Sequence, residues 1–431
     1  MASESEDDVE MGEEDSVKTT ETNKNDTVYL PGKSMDEGEQ LVCDESTYIM
    51  YHQAQTDAPC LSFDILRDHL GENREDFPHT CYVAAGSQTD KTYSNHVIVM
   101  KMSNLCKTQK EGSDDEDDDE SDDDDELPEL ETAIIKHDGC VNRIRATFLG
   151  EKNVAATWSE KGKVFIWDLS RPVNAVNSSE VMTEYTKNCE SPAPIHVFDG
   201  HADEGYALDW SKQSPGRLLS GDCKKNIHLW TPNSSGWSVS QQSFVGHTAS
   251  VEDIQWSPNE DNVFASCSVD KSIRIWDARA APRKACMLTT SNAHDEDINV
   301  INWNRNEPFI VSGGDDGVIK IWDLRQFQTG QPAALFKHHT SPVTSVEWHP
   351  TDSSVFAVAG EDDQLSLWDL SVERDAEASG AEKAEPDVPP QLLFIHQGQS
   401  EIKELHWHSQ IPGVIISTAI SGFNIFRTIS V

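Results

Sequence analysis

Tryptophan spacing is the feature that most constrains how this chain can fold. Four tryptophans follow one another at steps of 46 residues: Trp230, Trp276, Trp322 and Trp368. An earlier tryptophan in each interval keeps nearly the same step: Trp210, Trp256, Trp303 and Trp348. The chain therefore repeats one structural unit, and a single unit of this length cannot bury both of its faces alone.

The repeated unit has the pattern of strands. Its last segment alternates polar and apolar residues, as in "SIRIWD" (272–277) and "VIKIWD" (318–323), and such alternation predicts β-structure. Period, Gly-His and Trp-Asp marks are typical of WD-repeat blades. Four copies are clear (200–230, 246–277, 293–323, 338–369), two are weaker (137–168, 400–429) and one is degenerate (79–102). We predict an all-β, seven-bladed WD-repeat propeller over residues 77–431, closed by pairing of "GFNIFRTISV" (422–431) with N-terminal strands.

Recurring polar residues within the units predict a structural network. The spacing matches a buried hydrogen-bond chain in two blades: His247, Ser266, Asp270 and Trp276, then His294, Ser312, Asp316 and Trp322. A buried polar group without a partner costs about 1–3 kcal/mol, so we interpret these sets as blade-stabilising rather than as Ser/His/Asp catalytic triads. Lys161 and Lys224 at the aspartate position, and Val358 at the serine position, predict less rigidly tied blades.

Charge is unevenly distributed along the chain. The net charge of −42 includes −10 from residues 1–40 and −15 from residues 111–131, which leaves −17 on the remainder. We predict an acidic disordered tail (1–40) and an acidic disordered insertion (109–131) between the first and second blades. Such a field repels nucleic acid and anionic membranes and attracts basic polypeptides.

Motifs of catalysis and cofactor binding do not occur in the sequence. It has no phosphate-binding Gly-x-x-x-x-Gly-Lys-Ser/Thr, no His-Glu-x-x-His and no Gly-x-Ser-x-Gly. "HWH" (406–408) offers two imidazoles with no third metal ligand, and the nine cysteines form no Cys-x-x-Cys pair. We predict an intracellular protein that is not an enzyme and has no cofactor or metal.

Two segments outside the clearest repeats carry a family resemblance. Residues 43–88, with "APCLSFDI", and "PPQLLFIHQGQSEIKELHWH" (389–408) are similar to the histone-binding WD-repeat proteins of chromatin assembly factors. With the acidic insertion, they resemble more closely the glutamate-rich WD-repeat family of ribosome assembly factors. The resemblance spans roughly residues 40–431. It implies an N-terminal helix and lead-in segment (41–76) and an acidic Pro-Pro loop (373–391) inserted near the sixth blade.

The resemblance implies two client sites. A client helix would lie in a groove between the N-terminal helix and the Pro-Pro loop, formed by Tyr48, Tyr51, Glu382, Glu385, Asp387, Pro389, Pro390, Leu392 and Leu393. An extended basic tail would bind the propeller's top face at Asn142, Arg143, Glu204, Tyr206, Glu252 and Asn299. Cys140 and Thr344 depart from the family pattern there. Simple solvation of the loop and of the channel mouth remain alternatives.

The resemblance also implies a function, a partner and a location. The function is that of a non-enzymatic acidic chaperone for a basic ribosomal protein, large-subunit ribosomal protein number three, in the nucleus and nucleolus, with the cytoplasm left open. One alternative is a histone chaperone in chromatin assembly or replication licensing. Another is a cullin-type ubiquitin-ligase adaptor that contacts the linker subunit through Arg279 and Arg325. Ser113 and Ser121, each followed by an acid at the third position, are candidate phosphorylation sites.

Overall fold

The computed structural model describes residues 42–89, 94–108, 127–187, 192–373 and 388–431. Within these ranges, seven four-stranded antiparallel sheets surround a common axis. The predicted seven-bladed propeller is therefore confirmed. The predictions for residues 1–40, for most of the acidic insertion and for most of the Pro-Pro loop lie outside the described residues. The same holds for Ser113, Ser121, Glu382, Glu385 and Asp387.

The strands are numbered in chain order. The first half comprises β1 (Tyr48–Ala54), β2 (Cys60–Leu66), β3 (His79–Ser87), β4 (His96–Leu105), β5 (Glu129–Lys136), β6 (Val141–Leu149), β7 (Lys152–Ser159), β8 (Lys163–Asp168), β9 (His196–Phe198), β10 (Ala207–Trp210), β11 (Leu218–Gly221), β12 (Ile227–Asn233), β13 (Gly236–Val239) and β14 (Val251–Trp256). The second half comprises β15 (Val263–Ser268), β16 (Ile273–Asp277), β17 (Cys286–Thr290), β18 (Ile298–Trp303), β19 (Phe309–Gly314), β20 (Val318–Asp323), β21 (Ala334–Lys337), β22 (Val343–Trp348), β23 (Val355–Gly360), β24 (Leu365–Asp369), β25 (Leu392–His396), β26 (Glu404–Trp407), β27 (Val414–Ala419) and β28 (Gly422–Thr428).

Helices are few among the described residues. They are α1 (Ser170–Ala175), α2 (Ser179–Lys187) and short 3-10 segments at Glu45–Thr47, Pro282–Lys284 and Leu324–Thr329. Both α-helices lie in the connection from β8 to β9, where the sequence analysis predicted none. Met182 and Tyr185 of α2 pack against the apolar cluster between the first two blades.

The core is divided among the seams between blades. Seven apolar clusters form, each where two neighbouring sheets face one another. Middle strands are buried throughout, as in β23, whereas outer strands such as β5 alternate exposed and buried residues. Because each sheet buries both faces only between two neighbours, the ring must close to complete the core.

Closure is made by the two ends of the chain. β1 pairs antiparallel with β28, with Tyr51 opposite Phe426, and becomes the fourth strand of the seventh blade. The predicted pairing of the last segment with an N-terminal strand is thus confirmed. The prediction that Tyr48 and Tyr51 lie on a helix is wrong. Tyr48 and Met50 alternate with less buried residues, and this period of two belongs to a strand.

The acidic insertion does not separate two blades, as the sequence analysis expected. It joins β4 to β5, the third and fourth strands of the first sheet, and Glu129–Glu131 already belong to β5. The Pro-Pro loop joins the corresponding strands of the sixth sheet, β24 and β25. Since neighbouring strands are antiparallel, every third strand ends where the inner strands end. We call this the insertion face, and the face where the inner strands begin the mouth face.

Candidate functional site

The inner strands of the seven blades line a central channel. One residue from each blade, at equivalent positions of β2, β6, β10, β14, β18, β22 and β26, lines a cavity of about 230 Å³. We call these seven residues the channel ring: Asp64, Arg145, Asp209, Gln255, Asn302, Glu347 and His406. Five of the seven are ionisable, so the channel is a polar centre inside an apolar ring of blades.

The channel ring connects each inner strand to the next. Its oxygens accept hydrogen bonds from backbone N–H groups of the following blade, namely Ala146 N to Asp64 (2.7 Å), Trp256 N to Asp209 (2.6 Å), Trp348 N to Asn302 (3.0 Å) and Trp407 N to Glu347 (3.2 Å). These donors would otherwise be unsatisfied inside the channel, at a cost of about 1–3 kcal/mol each. The ring therefore fixes the register between blades.

Glu404 joins the last blade to the first two. Its side chain is 1% exposed and pairs with Arg143 Nη1 (2.7 Å) and Arg145 Nη2 (2.8 Å) of the second blade. It also accepts hydrogen bonds from the Ser62 hydroxyl (2.7 Å) and Phe63 N (2.8 Å) of the first blade. The sequence analysis missed this residue because a single glutamate beginning a short strand resembles an exposed one.

Charges within the channel perturb its titrating groups. Burial opposes ionisation of Glu404, but the guanidinium groups of Arg145 and Arg143 hold the pKa of its carboxyl well below the usual range. Burial alone would lower the pKa of His406, but the carboxylates of Glu347 and Glu404 outweigh it and raise the pKa to about 10. Burial raises the pKa of Asp209 to about 7. The described channel residues are thus paired groups in a closed network, and none of them is a nucleophile activated by a neighbouring base.

The mouth face gathers most of the predicted top-face residues. Asn142 Nδ2 donates to Glu204 Oε2 (2.8 Å), and Arg143 Nε donates to the Tyr206 carbonyl (2.9 Å). Burial, and after it the charges of Glu204 and Glu252 among others, raises the pKa of the Tyr206 hydroxyl to about 12. These five residues therefore lie together at the start of the channel.

The sixth predicted top-face residue lies one blade further round. Asn299 Nδ2 donates to Asp315 Oδ1 (2.8 Å). Arg143, although part of the mouth, points its guanidinium into the pair with Glu404. What remains at the mouth is mainly carboxylate.

The two departures from the family pattern are both used within the fold. Cys140 Sγ donates to the Thr89 carbonyl (3.4 Å), and Thr344 Oγ1 donates to the Ile402 carbonyl (2.8 Å), which ties the sixth blade to the seventh. A second cavity, about 480 Å³, opens at the seam of blades seven, one and two and includes Cys140, Glu160 and Glu401 in its wall.

The predicted groove residues meet in part, on strands. Tyr48, Tyr51 and Leu393 share the apolar cluster between blades six and seven, whereas Leu392 packs against the cluster between blades five and six. Tyr48 is only 6% exposed, and its hydroxyl lies 2.8 Å from Nδ1 of His396. Tyr48 is therefore structural. Pro389 and Pro390, which precede β25, are half-buried.

The two arginines of the ligase-adaptor alternative have the same geometry in neighbouring blades. Arg279 is bound through Nε and Nη2 to Asp277 (2.9 and 2.7 Å), and Arg325 likewise to Asp323 (2.9 and 2.8 Å). Their side chains are 69% and 65% exposed. Both follow third strands and therefore lie at the insertion face.

The blade network is more regular than the sequence indicates. His247 lies 3.0 Å from Asp270 and 2.6 Å from Ser266, which accepts from Trp276 Nε1 (2.8 Å). The set His294, Ser312, Asp316 and Trp322 repeats these contacts. The third blade completes the same chain with His201, Ser220, Asp222 and Trp230.

Two of the three expected weak blades are therefore complete. The expectation based on Lys224 is wrong because Asp222, two residues earlier, reaches the histidine (3.0 Å). The expectation based on Val358 is wrong because Ser366, its partner across the strand pair, supplies the hydroxyl to His339 and Trp368 (2.8 Å each). In the second blade, Lys161 pairs with Asp138, and Thr157 joins His137 to Trp167.

Substituting Ser366 with alanine tests this transfer of the hydroxyl between strands. We expect a loss of about 2–3 kcal/mol in the free energy of unfolding, because the buried nitrogens of His339 and Trp368 each lose a partner. Adding Val358→Ser should restore much of the loss, since it places a hydroxyl where other blades have one. Urea unfolding followed by tryptophan fluorescence measures both effects. A double variant no more stable than Ser366→Ala alone would contradict the explanation.

Metal and membrane sites were sought in the described part of the chain. No group of three or more His, Cys, Asp or Glu side chains there is arranged to hold a metal ion. His406 pairs with Glu347 (2.8 Å), and Nδ1 of His408 accepts from Gln410 N and Ile411 N (3.1 Å each). No helix in the described ranges is long and apolar enough to cross a membrane.

Fold and repeats together define a WD-repeat β-propeller protein. The family model described as "WD domain, G-beta repeat" matches residues 238–277, 285–323 and 330–369. The model described as "Histone-binding protein RBBP4", which also represents a component of the CAF1 complex, matches residues 38–106. Such propellers serve protein–protein interaction, and the scaffold is that of a non-catalytic protein.

Similarity to whole proteins identifies the family more closely. The chain is 46% identical to Protein HEAT STRESS TOLERANT DWD 1 of Arabidopsis thaliana (92% of this chain, 90% of that protein). It is 43% identical to ribosome assembly protein rrb1 of Schizosaccharomyces pombe (93% and 84%). It is 45% identical to glutamate-rich WD repeat-containing protein 1 of Dictyostelium discoideum (91% and 83%). The chain belongs to this family of glutamate-rich WD-repeat proteins.

Proposed function

We propose that this protein is a non-enzymatic acidic chaperone that holds a basic ribosomal protein during assembly of the large ribosomal subunit. The name of the fission-yeast relative, ribosome assembly protein rrb1, supports the process. The net charge of −42 supports the class of client, because a strongly acidic surface attracts basic polypeptides and repels nucleic acid and anionic membranes.

The observation that carries the proposal is the unbalanced charge at the mouth face. Arg143 is neutralised by Glu404 inside the channel. Burial raises the pKa of Glu252, and burial together with Asp315 raises the pKa of Asp297. Carboxylates with raised pKa values lack compensating cations, so a lysine or arginine side chain placed among them would stabilise their charge.

The groove between blades six and seven is the second part of the proposed site. Leu393 and Tyr51 lie half-buried in one cluster, next to the chain that leads to Pro389 and Pro390. Glu382, Glu385 and Asp387 precede these prolines in sequence. A basic amphipathic helix would place its apolar side on the cluster and its cations near the acids.

The acidic insertion would act as an electrostatic tether for the client. Twelve of the thirteen residues from 114 to 126 are acidic, and a dense charge of this kind raises encounter rates with a basic protein at low salt. Phosphorylation of Ser113 and Ser121 would add about −1.5 to −2 charge each. The client that family resemblance indicates is large-subunit ribosomal protein number three, met in the nucleus and nucleolus, with the cytoplasm as a further location.

Deleting residues 112–126 tests the tether. We expect the association rate with purified large-subunit ribosomal protein number three to fall about 10-fold at low salt, because attraction at a distance is lost. The effect should shrink at high salt, where charges are screened. Stopped-flow mixing across a salt series measures it, and replacing the segment with a neutral Gly-Ser linker of equal length controls for length. An unchanged association rate at low salt would disprove the tether.

Reversing the charges of the Pro-Pro loop tests the groove separately. The combined substitution of Glu382, Glu385 and Asp387 with lysine should raise the dissociation rate of the complex, because the client's cations would then meet like charges. An equal reversal at Glu72, Glu75 and Asp76, also exposed on the insertion face, is the control. Equal effects of the two triple variants would contradict a localised groove.

Histone chaperoning, in chromatin assembly or replication licensing, is the second candidate function. The match of residues 38–106 to the histone-binding family model favours it. Competition between core histones and the ribosomal protein at equal ionic strength distinguishes the two clients, and preferential capture of histones would replace the first proposal.

A ligase-adaptor role is supported by the matched exposed pair Arg279 and Arg325. It predicts that the wild-type chain captures the linker subunit of a cullin ligase and that Arg279→Ala/Arg325→Ala does not. Absence of the linker subunit from a mild pull-down of the wild-type chain would exclude this role.

A further inference from the structure

We propose that the outward face of β5 is the apolar half of a docking surface for a cationic amphipathic segment of the client. The surface consists of Leu127, Leu130, Thr132 and Ile134, all of which are exposed. This inference rests on the proposed function and locates a second contact region for it, distinct from both the mouth face and the groove of blades six and seven.

The periodicity of β5 places these side chains on one face. Leu130, Thr132 and Ile134 alternate with Glu131, Ala133 and Ile135, and residues two apart in a strand share a face. Ala133 and Ile135 are buried in the cluster shared with the second blade. Leu130 and Ile134 remain 39% and 52% exposed, and Leu127 just before the strand is 79% exposed.

The strip continues inward as apolar surface. Across the strand pair, Leu130 lies opposite Met102 and Ile134 opposite Ile98, and both partners are buried at the seam of blades seven and one. The exposed side chains of β5 therefore extend a packed apolar layer outward to the solvent. A partner that covers Leu130 and Ile134 would bury apolar area on a rigid base.

The edge of β5 is partly occupied, which limits how a partner can bind. The hydroxyl of Tyr185, on α2, donates to the carbonyl of Ile134 (2.8 Å). This bond uses one of the backbone acceptors that an added strand would need. Side-chain contact with the outward face is thus favoured over extension of the sheet, and an amphipathic segment suits that contact.

Charge complementarity identifies the occupant. The acidic run from Asp114 ends at Glu126, directly before Leu127, and Glu129 at the start of β5 is exposed as well. A segment that places apolar side chains on Leu130 and Ile134 would bring its neighbouring residues next to this run. Lysines and arginines are favoured at those positions, and acidic or neutral segments are not.

The second blade supplies a matched control surface. Ile195 and Val197, beside and within its outer strand β9, are two residues apart and 49% and 45% exposed. The chain from Pro192 to Ile195 carries no charged side chain. The pair therefore has comparable apolar exposure without an adjoining run of acids.

The test uses the full chain and two synthetic 18-residue peptides, one with a lysine face and a leucine face, the other with serine in place of leucine. Leu130→Ser/Ile134→Ser should weaken binding of the lysine–leucine peptide about 10-fold, since two side chains lose burial. Binding of the lysine–serine peptide should not change. Ile195→Ser/Val197→Ser should alter neither affinity. Fluorescence anisotropy at fixed ionic strength gives the dissociation constants, and thermal unfolding confirms that each variant is folded.

The outcomes separate this surface from the function on which it rests. If the wild-type chain binds both peptides and Leu130→Ser/Ile134→Ser binds them equally well, the surface is disproved and the chaperone function stands. An equal loss with the Ile195 and Val197 variant also disproves it, because the effect would then be general hydrophobic adhesion. If the wild-type chain binds neither peptide, the proposed function fails and the surface with it.

Discussion

Replacing Glu404 with alanine is expected to reduce the free energy of unfolding by about 3–5 kcal/mol, the usual cost of removing one partner from a buried ion pair. Arg143 and Arg145 would keep their charges inside the channel without the carboxylate that both now contact at 2.7–2.8 Å. Phe63 N would lose its acceptor as well. Because these contacts join blade seven to blades one and two, the loss should be concentrated at the closure of the ring.

Urea unfolding followed by tryptophan fluorescence measures the total effect, and hydrogen exchange locates it. Amides of β1 and β2 should lose more protection than those of β18, on the far side of the ring. Glu401→Ala is the matched control, because Glu401 is 55% exposed and pairs with Lys403 at the surface, so its loss should stay within about 0.5 kcal/mol. If both variants lose the same stability, Glu404 does not close the ring.

The repeat predicted the architecture because a propeller imposes its period on the chain directly. Each blade needs one large buried side chain at the same place in its third strand, and Trp230, Trp276, Trp322 and Trp368 are all fully buried. The closure of the ring followed from the need to bury both faces of every sheet. Sequence reasoning is reliable where a structural requirement recurs at a fixed spacing.

The errors arose where an atom, rather than a residue at a fixed position, meets the requirement. The histidine of a blade needs a carboxylate and a hydroxyl within hydrogen-bonding distance, and Asp222 and Ser366 supply these from neighbouring positions. Tyr48 and Tyr51 were assigned to a helix by family resemblance, although their own alternation with Met50 indicates a strand. Local periodicity is the better guide there.

The channel ring could not be predicted from the sequence because its members differ chemically from blade to blade. Aspartate, arginine, glutamine, asparagine, glutamate and histidine all occupy the same position, so no motif marks it. Only the closed ring brings Arg145 of the second blade to Glu404 of the seventh, 259 residues later in the chain. Contacts of this kind are properties of the topology.

His406 should make stability depend on alkaline pH. Glu347 lies 2.8 Å from its Nδ1, Glu404 is 3.8 Å from its Nε2, and Asp64 also interacts with its charge. The pKa of His406 is about 10 in the folded protein, compared with 6.5 for an unperturbed histidine. A group whose pKa is raised on folding stabilises fully below its unfolded pKa and loses that contribution as pH rises through the folded pKa.

We therefore expect the free energy of unfolding to fall between pH 6.5 and 10 by an amount on the order of 4 kcal/mol from this residue. His406→Gln lacks the charge at every pH, so it should be much less stable than the wild type at pH 6.5 and nearly equal to it at pH 10. Urea titrations at intervals across this range measure the difference. A gap between the two proteins that stays constant with pH would show that His406 is not protonated within the channel, and that its carboxylate neighbours are balanced by Arg143 and Arg145 alone.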